Sequence, residues 1–320
     1  MMEHFGGGLR CLERVGCGRG RTRPASLARL AAGLLLWGFP CFAQSDAEVR
    51  ITRFEIAKGL DMLVGRGGNL SVSSGADGIL LVDDQFAPLT PKIRAAIAEI
   101  QDGPVRFVLN THWHGDHTGG NENFARAGAL LFAQDAVRER MSRDQEMRAF
   151  GRTIPASPEA ALPVVTFSDA MRFHINGEEI HVHHAPRAHT DGDAIVQFRR
   201  ANAIATGDVY FNGSYPFIDL ASGGSLDGMI AAVEQVLALS DAQTRIVPGH
   251  GPLSNRAELR AYRDMLVTVR ARVAAALREG ASFSALSASG PLRDLDGRWG
   301  GKIVNSQDFL RSVHASLSGN

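Results

Sequence analysis

Thr111-His112-Trp113-His114-Gly115-Asp116-His117 sets three histidines and one aspartate within six consecutive residues. The cluster directly follows the apolar run Val105–Leu109, so it reads as a loop leaving a short buried strand. Bringing that many ionisable groups together is costly unless something satisfies them. A metal ion does so. His112 and His114 alternate to one side and can chelate one ion, while the flexible Gly115 lets Asp116 and His117 turn toward a second. Imidazole and carboxylate donors without thiolate suit zinc, and also iron or manganese.

The chain on either side alternates strands and helices. Val49–Ala57, Asp61–Val64, Asn69–Ser73 and Gly78–Val82 are short β-like runs separated by glycine-rich turns, including Gly65-Arg66-Gly67-Gly68, and predict a meander. Thr90-Pro91 opens a helix reaching Ile100, with proline at its first position. A second helix is expected over Asn121–Ala127, a buried strand over Leu130–Ala133, a charged helix over Gln134–Phe150 and a proline-rich loop over Arg152–Pro163. Strands return at Val164–Phe167, Met171–Ile175, Glu178–His184, Ala194–Phe198, Ala203–Ala205 and Thr244–Val247, and helices at Leu226–Leu239, Arg256–Arg278 and Gln307–Leu317. Two half-chains, each with strands followed by helices, predict an α/β fold: two packed sheets with helices outside, an αββα four-layer sandwich.

Charge is unevenly spread along the 320 residues. Residues 1–43 carry six Arg and two Glu, leaving 28 basic and 32 acidic side chains beyond them, a net of −4. A mildly acidic body with no basic stripe gives no electrostatic reason to expect nucleic acid as a partner. The first 43 residues read as a signal peptide: Arg19, Arg21, Arg23 and Arg29 precede the apolar run Leu30–Trp37, and Cys41-Phe42-Ala43 offers small residues for a cut after Ala43. The apolar run is too short to span a bilayer. Residues 44–320 then form one catalytic domain, periplasmic or secreted, with no membrane attachment once the signal is removed. All three cysteines, Cys11, Cys17 and Cys41, fall in that leader, so the mature chain has neither disulfides nor a thiolate ligand.

His-x-His-x-Asp-His after a short apolar strand resembles the signature of the metallo-β-lactamase superfamily. The family's later motifs follow in order: His189-Thr190-Asp191-Gly192-Asp193, Ala205-Thr206-Gly207-Asp208 and Val247-Pro248-Gly249-His250-Gly251. The resemblance implies that His112, His114 and His189 hold one metal and Asp116, His117 and His250 a second, with Asp208 bridging. Two zinc ions are the implied cofactors, with iron or manganese as alternatives. His181, His183 and His184 crowd the segment before His189, but His189 lies on a polar turn after Pro186, where ligands reside. His184 is a candidate outer or pocket residue, and Asp83 matches an aspartate that orients the ligand loop in many relatives, with Asp84 competing for that role and either able to cap the loop instead.

Such a pair of ions lowers the pKa of a shared water toward about 7, supplying hydroxide for attack on an acyl carbonyl, with Asp116 orienting it and relaying its proton. The implied substrate is a small acyl molecule: an ester, thioester, lactone or lactam. Asp208 resembles the bridging aspartate of glyoxalase II thioesterases, lactonases and the exported cyclase-like branch more than the Cys or Ser of typical β-lactamases. The loop after it carries Tyr210, Phe211, Tyr215 and Phe217, able to form an apolar wall, with Asn212 or Tyr215 placed to donate to a developing oxyanion. Three other readings fit the same residues: a β-lactamase proper, an iron-dependent persulfide dioxygenase or sulfur-oxidation accessory protein, and a metal-binding relay protein with weak catalysis. The oligomeric state is not encoded in these patterns.

Overall fold

The order of strands and helices along the chain dictates the layering. The computed structural model describes residues 46–147, 151–301 and 303–319, so the leader expected over residues 1–43 lies outside the described residues. Strands β1 (Thr52–Ala57), β2 (Leu60–Val64), β3 (Leu70–Ser73) and β4 (Ile79–Val82) form the antiparallel meander. Helix α1 (Thr90–Ala98) crosses to β5 (Val105–Leu109), parallel to β4. The short α2 (Gly115–Thr118) and α3 (Asn121–Arg126) lead to β6 (Leu130–Gln134), parallel to β5. Then come α4 (Asp135–Met141), a small antiparallel pair β7 (Gln145–Met147) and β8 (Arg152–Ile154), and β9 (Val165–Phe167), which closes the first sheet beside β6.

The second sheet has its strands side by side in chain order: β10 (Ala170–Ile175), β11 (Glu178–Ala185), β12 (Asp193–Phe198), β13 (Ala203–Ala205), β14 (Arg245–Val247) and β15 (Ser254–Asn255). Helix α5 (Leu226–Leu239) forms the crossover between the parallel β13 and β14, and α6 (Arg256–Arg278), α7 (Phe283–Ser289), α8 (Asp296–Trp299) and α9 (Ser306–Ser318) follow. Helices α5 and α6 both start on side-chain caps. Ser225 accepts from Gly228 N ahead of α5, and Asn255 accepts from Ala257 N and Glu258 N ahead of α6.

Period-two alternation builds the four layers. On β4, Leu80 and Val82 enter the core between the sheets with Val182, Val196 and Ala205, while Ile79 and Leu81 meet Ile93 and Ile97 of α1. On the second sheet, Ala203 and Ala205 face the first sheet, whereas Ile204 and Ile246 face Met229 and Val233 of α5 and Leu266 of α6. Each such aliphatic side chain contributes about 1.5–3 kcal/mol on burial, so one register slip of a strand would forfeit several contacts together. The αββα expectation is therefore met.

Two local expectations are not. The helix expected over Gln134–Phe150 stops at Met141, where Gln145 folds back and its Nε2 donates to the carbonyls of Arg140 and Arg143. Part of the expected loop at Arg152–Pro163 instead pairs as β8 with β7. Helices α7 and α8 had no strong periodicity and were not anticipated. No helix among the described residues is long and apolar enough to cross a membrane.

Candidate metal centre

All four motifs leave the carboxyl ends of strands, one in the first sheet and three in the second. The His112–His117 loop follows β5, His189 follows β11, Asp208 follows β13 and His250 follows β14. The two sheets are stitched at this edge, where Ala194 N donates to Thr111 O at 2.8 Å. Residues as far apart in sequence as His112 and His250 thereby converge.

The donors fall into two groups. His112, His114, His189 and Asp208 form one, Asp116, His117 and His250 the other, with each group's donor atoms within 4.8 Å of one another. Asp208 lies between them. Its Oδ2 is 3.5 Å from His189 Nε2 and 3.8 Å from His112 Nε2, while its Oδ1 is 3.1 Å from His117 Nε2 and 3.4 Å from His250 Nε2. Asp116 Oδ2 is 3.3 Å from His250 Nε2 and 3.7 Å from His117 Nε2. His112 Nε2, His117 Nε2 and Asp208 Oδ1 are buried without any hydrogen-bond partner. Buried donor atoms aimed at a common point and otherwise unsatisfied suit divalent cations, and this nitrogen and carboxylate set fits zinc, iron or manganese.

Outer hydrogen bonds decide which ring nitrogen faces inward. Asp83 Oδ2 lies 2.8 Å from His117 Nδ1, and the same carboxylate accepts from Thr111 N at 2.7 Å and Thr111 Oγ1 at 2.8 Å. Asp83 adopts φ 64°, a strained left-handed conformation held by these bonds. His189 Nδ1 is 2.8 Å from Phe217 O, which leaves Nε2 toward Asp208. His114 presents Nδ1 inward, because its Nε2 lies 3.0 Å from Asp219 Oδ2. Asp219 was not singled out from the sequence; its only signal was a lone acid in an aromatic loop, 105 residues from its partner. Two glycines admit the close packing: a Cβ on Gly68 would lie 2.1 Å from His117 Cε1, and one on Gly249 would lie 2.1 Å from Asp208 Oδ1.

Mutual electrostatics in this cluster are strong. Burial opposes ionisation of Asp208, but His250, His117, His112 and His189 outweigh it and hold its carboxyl well below the usual range. Burial likewise opposes ionisation of Asp116, yet His117 and His250 bring it down to about 2. Burial would lower His250, but Asp208 and Asp116 raise it to about 9, and Asp208, Asp116 and Asp83 likewise hold His117 well above its ordinary value against its burial. His189, dominated by burial, drops to about 4.

Three sequence candidates lie elsewhere. His184 is a strand residue whose Nε2 bonds Asp191 O at 2.7 Å, so it braces the turn after His189 and touches no ligand side chain. Tyr215 is fully buried, stacks on Phe309 at 4.6 Å and donates its hydroxyl to Asp296 Oδ1 at 3.0 Å, which removes it as an oxyanion donor. Asn212 accepts from Tyr210 Oη and donates Nδ2 to Pro252 O at 3.0 Å; its side chain braces the loop around His250 instead of facing substrate. Of the anticipated aromatic wall, Tyr210, Phe211 and Tyr215 are core residues. Phe217 alone remains only partly buried, its ring 6.0 Å from His114 and 5.8 Å from His189.

With four ordered motifs, this sandwich and this constellation, the chain belongs to the metallo-beta-lactamase superfamily, whose profile matches residues 73–250. It is 29% identical over 171 residues to a hydroxyacylglutathione hydrolase from Nitrosococcus oceani, covering 52% of this chain and 57% of that protein. The chain spans about half the length of the curated relatives it matches, from 41% to 57%. Among solved structures, a metallo-beta-lactamase from Pontibacter korlensis shares the fold with a TM-score of 0.56 and 19% identity, over 68% of this chain and 99% of the other. A stereoselective inverting sec-alkylsulfatase from Pseudomonas sp. gives a TM-score of 0.58 at 15% identity, over 83% of this chain and 50% of the other.

Proposed function

We propose that this chain is a dimetal hydrolase that cleaves acyl substrates: esters, thioesters, lactones or lactams. The observation that carries the reading is Asp208, whose two carboxylate oxygens face different groups of donors. Two zinc ions bound there would supply a Lewis acid for the substrate carbonyl and a water acidified toward pKa about 7. The protein's own groups do the rest. Asp208 fixes the spacing of the two donor groups, and Asp83 and Asp219 hold His117 and His114 in single tautomers. Asp116 is the most exposed of the acidic donors, its side chain 27% accessible against 6% for Asp208. Its carboxylate, ionised at neutral pH, is the group positioned to take a proton from the attacking water and return it to the leaving group. Phe217 offers an apolar surface beside His114 for the acyl portion.

The identity to a hydroxyacylglutathione hydrolase supports a thioester as the first substrate to try. Metal analysis of the purified protein, coupled to a panel of nitrocefin, a thioester, a lactone and a simple ester, tests the reading. Zinc-dependent turnover of at least one is expected, with Asp208→Ala slower by orders of magnitude and depleted of metal. Wild-type rates in Asp208→Ala would defeat the bridging role. Iron content with oxygen uptake would replace hydrolysis by oxidation.

A further inference from the structure

We infer that the turn between β2 and β3, residues Gly67, Gly68 and Asn69, positions one half of the centre selectively: the Asp116, His117 and His250 group. The inference rests on the dimetal reading. Asn69 is 5% exposed and spends its donors on one distant loop. Its backbone N donates to Gly249 O at 2.7 Å, and its side-chain Nδ2 donates to Pro248 O and to Gly251 O, each at 2.9 Å. The residues flanking His250 on both sides are thus held by one asparagine more than 170 residues away in sequence, across separations of 179 and 182. Only a primary amide offers two hydrogens from one nitrogen at this length; aspartate would turn a carboxylate against two carbonyls.

The two glycines before it reach the other members of the same group. Gly68 N donates to Asp116 O at 3.1 Å, and the bare Cα of Gly68 lies against the His117 ring. Gly67 packs on the Asp116 backbone, where an added Cβ would lie 2.8 Å from Asp116 O, and its N donates to Gln85 Oε1 at 3.3 Å. Among the described residues, none of the five hydrogen bonds of this turn involves His112, His114 or His189. One turn therefore binds Asp116, His117 and His250 to a common frame, although they come from opposite sheets. Misplacing ligands by a fraction of an ångström is enough to lower affinity, and losses of about 10–100-fold are usual when outer partners are removed. Asn69 and Gly68 are positioning residues, not ligands.

The test is zinc and cobalt(II) titration of the full-length protein, reading stoichiometry, stepwise affinity and the cobalt visible spectrum, none of which requires turnover. Asn69→Ala and Gly68→Ala should keep one tight equivalent and bind the second about 10–100-fold more weakly. The cobalt bands of one site should persist while those of the other fade. Leu63→Ala, a cavity on the helix side of the first sheet, serves as the stability control and should not separate the two sites. Equal affinities for both equivalents in both variants would overturn the inference while leaving the dimetal reading intact. Parallel loss of both sites, matching the control, would overturn it too, because the turn would then act through the fold as a whole. A wild-type protein that binds fewer than two ions would remove the dimetal reading and the inference with it.

Discussion

Replacing Asp219 removes the carboxylate on which His114 rests. Its Oδ2 lies 3.0 Å from His114 Nε2 and accepts from Ser222 Oγ at 2.6 Å, while Ser222 Oγ accepts from Trp113 Nε1 at 3.1 Å. With the Nε2 hydrogen donated to Asp219, His114 Nδ1 carries its lone pair inward, 2.9 Å from His189 Nε2. Burial opposes ionisation of Asp219, but His114 and Ser222 outweigh it and hold the carboxyl below its usual range, so it is charged at neutral pH. Asp219→Ala should weaken zinc binding at the His112, His114 and His189 group by about 10–100-fold. At about 1.4 kcal/mol per decade that is a loss of about 1.4–2.8 kcal/mol. Asp219→Asn keeps an acceptor and loses the charge, so it should sit near the tenfold end. Competition against a chromophoric zinc chelator at pH 7 measures the affinities, and thermal unfolding in excess chelator measures the metal-free fold separately. Wild-type zinc affinity in Asp219→Ala at both equivalents would refute the tautomer argument.

Two further outcomes follow from the same geometry. Zinc binding at pH 7 should release protons, because His117 and His250 are held protonated by Asp208 and Asp116 in the metal-free protein, His250 to about 9. Calorimetry in buffers of different ionisation enthalpy reads that release; their stabilisation of the metal-free fold, complete below the ordinary histidine pKa, should fade as pH rises through about 9. Tyr215→Phe should cost about 0.5–1.5 kcal/mol of stability through the lost bond to Asp296, with turnover per folded molecule unchanged. A selective fall in kcat would restore Tyr215 as a donor to substrate.

The local patterns carried a great deal. The His112–His117 cluster after an apolar strand, the short apolar runs of β4 and β12, and the 3.6-residue spacing of α5 and α6 are all written in neighbouring residues, where strand and helix signals operate. Asp83 was legible because it directly follows the apolar strand β4, where the resemblance implied an aspartate orienting the ligand loop.

What faces what was decided only by the tertiary structure. Tyr215 and Asn212 have the chemistry of substrate donors, and only packing against Phe309 and the Pro252 carbonyl commits them elsewhere. Asp219 and Asn69 look like ordinary loop residues, yet they reach partners 105 and 179 residues away. A hydrogen bond across that separation leaves no periodic trace in the sequence, because it depends on where two sheets place the ends of their strands.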